Sequence, residues 1–147
     1  MPLTLHGIGT AVPTQRLSQA EAVQVAHRID AESPEQERLM SRIYQKTKVL
    51  SRGSVLLDKD AGHGAHQERL SFYGSESPGT ARRMQAFEDH AGRLALEAAA
   101  KALKDGGIPS GAITHLVTVS CTGFQAPGVD LFLIDKLALA PSVQRTH

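Results

Sequence analysis

Few side chains in this 147-residue sequence are placed to do chemistry, and the first is Cys121, the single cysteine. It sits in VTVSCTGFQAPGVD, residues 117–130, where an apolar stretch ends just before a glycine and a new helix. Reactive groups in open α/β sheets gather at the carboxyl ends of strands. A nearby helix N-terminus favours the thiolate. The alternative is a small buried hydrophobe, and the residues alone leave both readings open. A nucleophile needs a base within hydrogen-bond reach. His115 shares a strand face with Cys121, but at ~3.3 Å per residue it lies roughly 20 Å away. His147 approaches only if a final strand lies beside this one.

Arg42 and Lys46 stand four apart and share a helix face. Together they form either a phosphate clamp, with a guanidinium fork and a point charge, or a solvated basic helix end that complements the dipole. His63 and His66 lie three apart in a Gly-rich loop. A metal site would need further ligands and a supporting shell, so we assign no metal. The glycines of HGIGT, residues 6–10, resemble a phosphate loop without its full spacing or its Lys-Ser/Thr, and they read as turn glycines.

The elements that must hold these groups are legible in part. Leu3–Ile8 reads as a short strand ending at Gly9. Ser18 followed by Glu21 is a capping box opening a small amphipathic helix to about Ile29. Ser33-Pro34-Glu35-Gln36 opens a second helix, to about Lys46 or Lys48. Val49–Leu57 reads as a strand interrupted by Gly53. Residues 58–80, rich in Gly, Ser, Asp and His, read as a long, irregular, mobile connection. Ala81–Asp105 is a helix, with Met84, Phe87, Ala91, Leu94, Ala98 and Ala102 along one face and Gly106-Gly107 as its stop. Ile113–Ser120 reads as a strand buried in a parallel sheet. A helix follows from Pro127 to Leu139, with Asp130 in its first turn, and Ser142–His147 starts another strand. The mixture favours an α/β domain with helices packed on a parallel or mixed sheet.

Length allows one domain, and a chain of this size can bury roughly 68–70% of its unfolded surface. Net charge is +1 and tryptophan is absent, so neither a basic footprint nor a stacking platform for nucleic acid is present. The apolar runs fall short of the ~20 residues of a membrane span, and the N-terminus lacks signal-peptide features. One cysteine forms no internal disulfide. These features suggest a soluble, cytoplasmic protein.

Residues 113–145, ITHLVTVSCTGFQAPGVDLFLIDKLALAPSVQR, closely resemble a segment of the type III polyketide synthases, the chalcone and stilbene synthase family with its bacterial members. Thr122-Gly123, Pro127-Gly128, Asp130 and Leu139-Ala140-Pro141 fall in step without a gap, and GIGTAVP, residues 7–13, resembles the family's N-terminal strand and turn. The resemblance implies a thiolase-like fold, of which residues 1–147 would be a single incomplete N-terminal domain. It implies decarboxylative condensation of a starter acyl-CoA with malonyl-CoA, no cofactor beyond the CoA thioesters as substrates, and a homodimer or higher oligomer. It places the family's nucleophilic cysteine just beyond His147, and the assisting His and Asn further on, so no catalytic residue is expected here and the 147 residues alone should be inactive. By the same resemblance Cys121 and Thr122 match residues that line the substrate cavity. Ala126 falls where plant members carry a methionine that reaches across the dimer, and alanine is smaller. Arg42 and Lys46 match basic residues that hold CoA phosphates; Leu39 falls where a third would be, next to Arg38. The alternatives are another thiolase-like condensing enzyme of the ketoacyl synthase III kind, or a non-catalytic CoA-binding or dimerisation module.

Overall fold

Two serines start the first two helices as their sequences require. In the computed structural model, which describes residues 2–57, 71–73 and 78–147, Ser18 caps α1 (Gln19–Asp30) with a complete capping box. Its Oγ accepts from Glu21 N–H at 3.2 Å, and the Glu21 carboxylate accepts from Ser18 N–H at 2.5 Å. Ser33 caps α2 (Pro34–Lys46), with proline at the helix start and Ser33 Oγ accepting from Gln36 N–H. Each cap satisfies an amide that the first turn leaves without an intrahelical partner.

The chain forms two compact units, one built from Met1–Ala11 with Thr80–His147 and the other from Val12–Gly79. In the second, β1 (Arg16–Ser18) pairs antiparallel with β2 (Ser51–Gly53), matching Leu17 to Arg52. Leu17, Ala22 and Leu57 are its buried core, with Val25, Tyr44 and Tyr73 packed against them. The expected strand Val49–Leu57 is thus shorter, and the chain turns after Gly53, where Ser54 Oγ accepts from Leu56 N–H. Most of the expected mobile connection, residues 58–70 and 74–77, lies outside the described residues, and His63 and His66 with it. Within that stretch Ser71–Tyr73 forms one 3-10 turn.

In the first unit α3 (Thr80–Gly106) is the longest element. It ends in a Schellman motif: Gly107 takes φ +62°, its N–H bonds Lys104 C=O, and Ile108 N–H bonds Leu103 C=O. The expected strand Leu3–Ile8 is instead an extended segment with no strand partner among the described residues. It lies along α3. Ile8 N–H donates to Asp105 and Lys101 Nζ to the carbonyl of Thr10. Gly7 and Gly9 sit where a Cβ would run into the α3 backbone at Ala102 and Ala98, so these glycines serve close approach to a helix rather than a turn.

β3 (His115–Val117) and β4 (Gln144–Thr146) pair in parallel, joined by a crossover that contains α4 (Val129–Lys136). Both strands are shorter than expected, and β3 is not buried on both faces, since Val117 and Val119 are exposed. The sheet has only these two strands among the described residues. The α/β class stands, with the strands divided between an antiparallel pair and a parallel pair.

Candidate functional site

The first unit contains a cavity of about 670 Å³ between α3, the end of β3, the loop after it and the start of α4. Its walls are apolar at Phe87, Ala91, Val119 and Leu133, and polar at Thr118, Ser120, Gln125 and His147. Two glycines of the ungapped motif shape it. At Gly123 the Phe87 ring occupies the space of a Cβ, and at Gly128 the carboxylate of Asp130 does. The Gly-x-Asp spacing is therefore steric: without a side chain at Gly128, Asp130 folds back against the helix start.

Asp130 is 1% exposed, the most deeply buried charged residue described. Arg145 Nη1 donates to its Oδ2 at 2.8 Å, and His147 Nε2 lies 3.2 Å from the same oxygen. Burial pushes the Asp130 carboxyl up. The Arg145 hydrogen bond, the Leu131 backbone and the charges of His147 and Arg145 together outweigh burial and hold it below the usual range. On the other side of the ring, His147 Nδ1 lies 2.9 Å from the Thr118 hydroxyl, so the imidazole stands between Asp130 and Thr118. Arg145 in β4 and His147 just past its end are two residues apart, a spacing that in extended chain puts both on one face, and both reach one carboxylate.

The sequence-derived candidates are not gathered here. Cys121, Thr122 and Ala126 are exposed, and the cavity wall runs through their neighbours Ser120, Gly123 and Gln125. The Cys121 thiol is free. His147 directly follows β4, the strand beside β3, but its ring nitrogens face Thr118 and Asp130, which leaves neither to serve Cys121 as a base. His115 faces Thr114.

Arg42 and Lys46 belong to the other unit. Both are exposed on α2, a helix with no buried residue, and neither has a partner among the described residues. Leu39 and Arg38 are exposed beside them. The helix end that carries Lys46 is fixed by Gln19, whose Nε2 donates to Tyr44 C=O at 2.7 Å and to Thr47 Oγ1 at 3.0 Å. Arg52 stacks over the Tyr44 ring and donates to Gln19 Oε1. The basic pair thus stands on a braced turn.

Sequence reasoning missed the Asp130 cluster. Asp130 read only as a first-turn residue of the last helix and part of the family segment, and His147 as a base candidate. The available signal was the i, i+2 spacing of Arg145, on a strand that follows a crossover, and His147, the residue just past it. Among the described residues no group of three or more His, Cys, Asp and Glu could hold a metal, and no helix is long and apolar enough to cross a membrane.

The chain matches the family "Chalcone and stilbene synthases, N-terminal domain" over residues 2–147. It is 32% identical over 144 residues to the alpha-pyrone synthesis polyketide synthase-like Pks18 of Mycobacterium tuberculosis, covering 96% of this chain and 34% of that protein. It is 42% identical over 82 residues to the bisdemethoxycurcumin synthase of Oryza sativa subsp. japonica, covering 56% of this chain and 20% of that one. The crystal structure of PKS-I from the brown alga Ectocarpus siliculosus superposes with a TM-score of 0.76 at 32% identity, over 97% of this chain and 38% of that chain. A fungal type III polyketide synthase, ORAS, shares the fold at TM-score 0.74 and 23% identity, over 99% of this chain and 36% of that chain. The chain spans about a third of the length of the curated relative Pks18. With the fold, the ungapped 113–145 segment and a match over nearly its whole length, the chain belongs to the chalcone and stilbene synthase family of type III polyketide synthases, as its N-terminal domain.

Proposed function

We propose that this domain works in an enzyme that condenses a starter acyl-CoA with malonyl-CoA by decarboxylation, and that it supplies the CoA phosphate clamp and part of the substrate cavity rather than the nucleophile. The observation that carries this is the family match over residues 2–147. In this reading residues 1–147 act as one incomplete thiolase-like domain within a cytoplasmic homodimer, with CoA thioesters as substrates and no separate cofactor. Arg42 and Lys46 hold CoA phosphates. Their exposure and lack of partners among the described residues support this, because a cation already paired must give up its partner to bind an anion. Cys121, Thr122 and Ala126 face the growing chain once the cavity is completed by the rest of the enzyme.

Calorimetric titration with CoA tests the clamp. Arg42→Ala and Lys46→Ala are each expected to weaken binding about tenfold, the worth of one charge-assisted hydrogen bond, while Cys121→Ala leaves it intact. Unchanged affinity in both basic variants would remove the clamp. The 147 residues alone, given malonyl-CoA and a starter acyl-CoA, are expected to make no polyketide. Product formation would overturn the division of labour and make Cys121 the nucleophile.

A further inference from the structure

Lys48 is the first residue past the Thr47 cap of α2, and its backbone takes φ 55°. Helices most often end in this left-handed conformation through glycine, which has no Cβ to clash. A lysine there is strained. Ala138 takes the same conformation after α4, with φ 50° and no side chain to offer a ligand, so strain alone marks no site. Lys48 differs in its surroundings. Thr47 Oγ1 donates to Tyr44 C=O at 2.8 Å and accepts from Val49 N–H at 3.4 Å. Gln19 Nε2 donates to Tyr44 C=O and Thr47 Oγ1, and Gln19 N–H donates to Leu50 C=O at 3.0 Å. The backbone on both sides of Lys48 is therefore tied to the start of α1. The cations of this unit also differ in what they face. Arg52 lies over Tyr44 and bonds Gln19, and Arg16 bonds Ser51 Oγ. Lys48, like Arg42 and Lys46, is exposed with no partner among the described residues.

We propose that Lys48 is a third cation of the phosphate clamp, presented by its fixed left-handed turn to bind a CoA phosphate beside Lys46. The inference rests on the clamp reading above and deepens it. Two residues of chain span at most about 7 Å, so Lys46 and Lys48, each a point charge on a four-carbon stem, reach neighbouring phosphates of one ligand. The negative end of the α2 dipole favours cations gathered there before any ligand arrives. An ammonium on a braced turn gives up less freedom on binding than one on a loose loop. Backbone strain of this kind is kept at ligand clamps, where the surrounding structure holds it.

The test is calorimetric titration of the full-length enzyme with CoA, at low and at high salt, beside its melting temperature. Lys48→Gly removes the charge and relieves the strain. It is expected to raise the melting temperature while weakening CoA binding roughly three- to tenfold, the range of one charged contact at an exposed site. Lys48→Ala keeps the strain and should weaken binding equally, without the gain in melting temperature. Lys48→Arg keeps the charge and should bind within about twofold of wild type, since an exposed site asks only for a cation there. The losses should shrink at high salt, where exposed charges are screened. Wild-type affinity in both Lys48→Gly and Lys48→Ala, with Arg42→Ala and Lys46→Ala still weakened, would overturn the inference and leave the two-residue clamp standing. A loss in Lys48→Arg as large as in Lys48→Ala would also overturn it, because the side chain would then be acting through its shape and not its charge. Wild-type affinity in all of these variants would overturn the clamp reading and this inference with it.

Discussion

In the unit of α3, α4 and the β3–β4 pair, the Asp130 carboxylate is 1% exposed and held by Arg145 and His147. In the unit of α1 and α2, Arg42 and Lys46 stand in water with no partner among the described residues. Both sets of charge lie close to a helix terminus, the acid in a first turn and the basic pair toward a last turn, as the dipole favours. They differ in desolvation. A carboxylate taken out of water persists only where donors arrive from elsewhere in the chain, and those donors are then committed. A cation left in water contributes little to the fold and stays available to an anion. The first arrangement serves architecture, and the second is the one we propose for a ligand.

The largest way to break this contrast is Arg145→Ala. The guanidinium is half-exposed and can be rehydrated, whereas the carboxylate it serves cannot. Its loss leaves the buried Asp130 with only His147 and the Leu131 backbone N–H and is expected to cost about 3–5 kcal/mol in urea unfolding. Asp130→Asn should cost less, because the surviving Arg145 can turn to solvent. Equal costs would mean that Asp130 is not as desolvated as the packing indicates.

Acid sharpens the same point. The Asp130 carboxyl titrates below its unfolded value, so between the two the native state binds fewer protons than the unfolded chain and stability rises with pH. Its contribution is complete above the ordinary carboxylate range and is lost as pH falls through the lowered folded value. Asp130→Asn should flatten that part of the acid limb, and Arg42→Ala should leave it alone. A parallel pair of curves for wild type and Asp130→Asn would remove Asp130 from the acid response.

Smaller effects come from the helix ends. Ser18→Ala removes the N-cap of α1 and is expected to cost about 1 kcal/mol, read by thermal or urea unfolding. Ala138 sits at φ 50° in a Schellman turn that ends α4, with Leu139 N–H on Ile134 C=O. Ala138→Gly relieves a left-handed alanine and is expected to gain about 0.5–1 kcal/mol. At the bottom of the scale, Arg42→Ala and Lys46→Ala should change stability by no more than about 0.5 kcal/mol, while CoA affinity falls. A larger stability loss would show that α2 depends on these cations as structure.

The 147-residue sequence determined what is local. The capping box at Ser18, the Ser33-Pro34 start, the span of α3 and its Gly107 stop all depend on residues within one helical turn of one another. The continuous 113–145 motif also lies in the sequence itself, and it carried the family. Strand limits were less legible. Leu3–Ile8 has the composition of a strand, but a strand exists only when another pairs with it, and here α3 takes that side. Of the Asp130 cluster, only the i, i+2 spacing of Arg145 and His147 was legible. Asp130 meets Arg145 across fifteen positions of chain, and His147 meets Thr118 across twenty-nine. Only the crossover through α4 and the parallel register of β3 with β4 bring those side chains within hydrogen-bond reach. Burial then makes the acid depend on partners that its sequence neighbours do not supply.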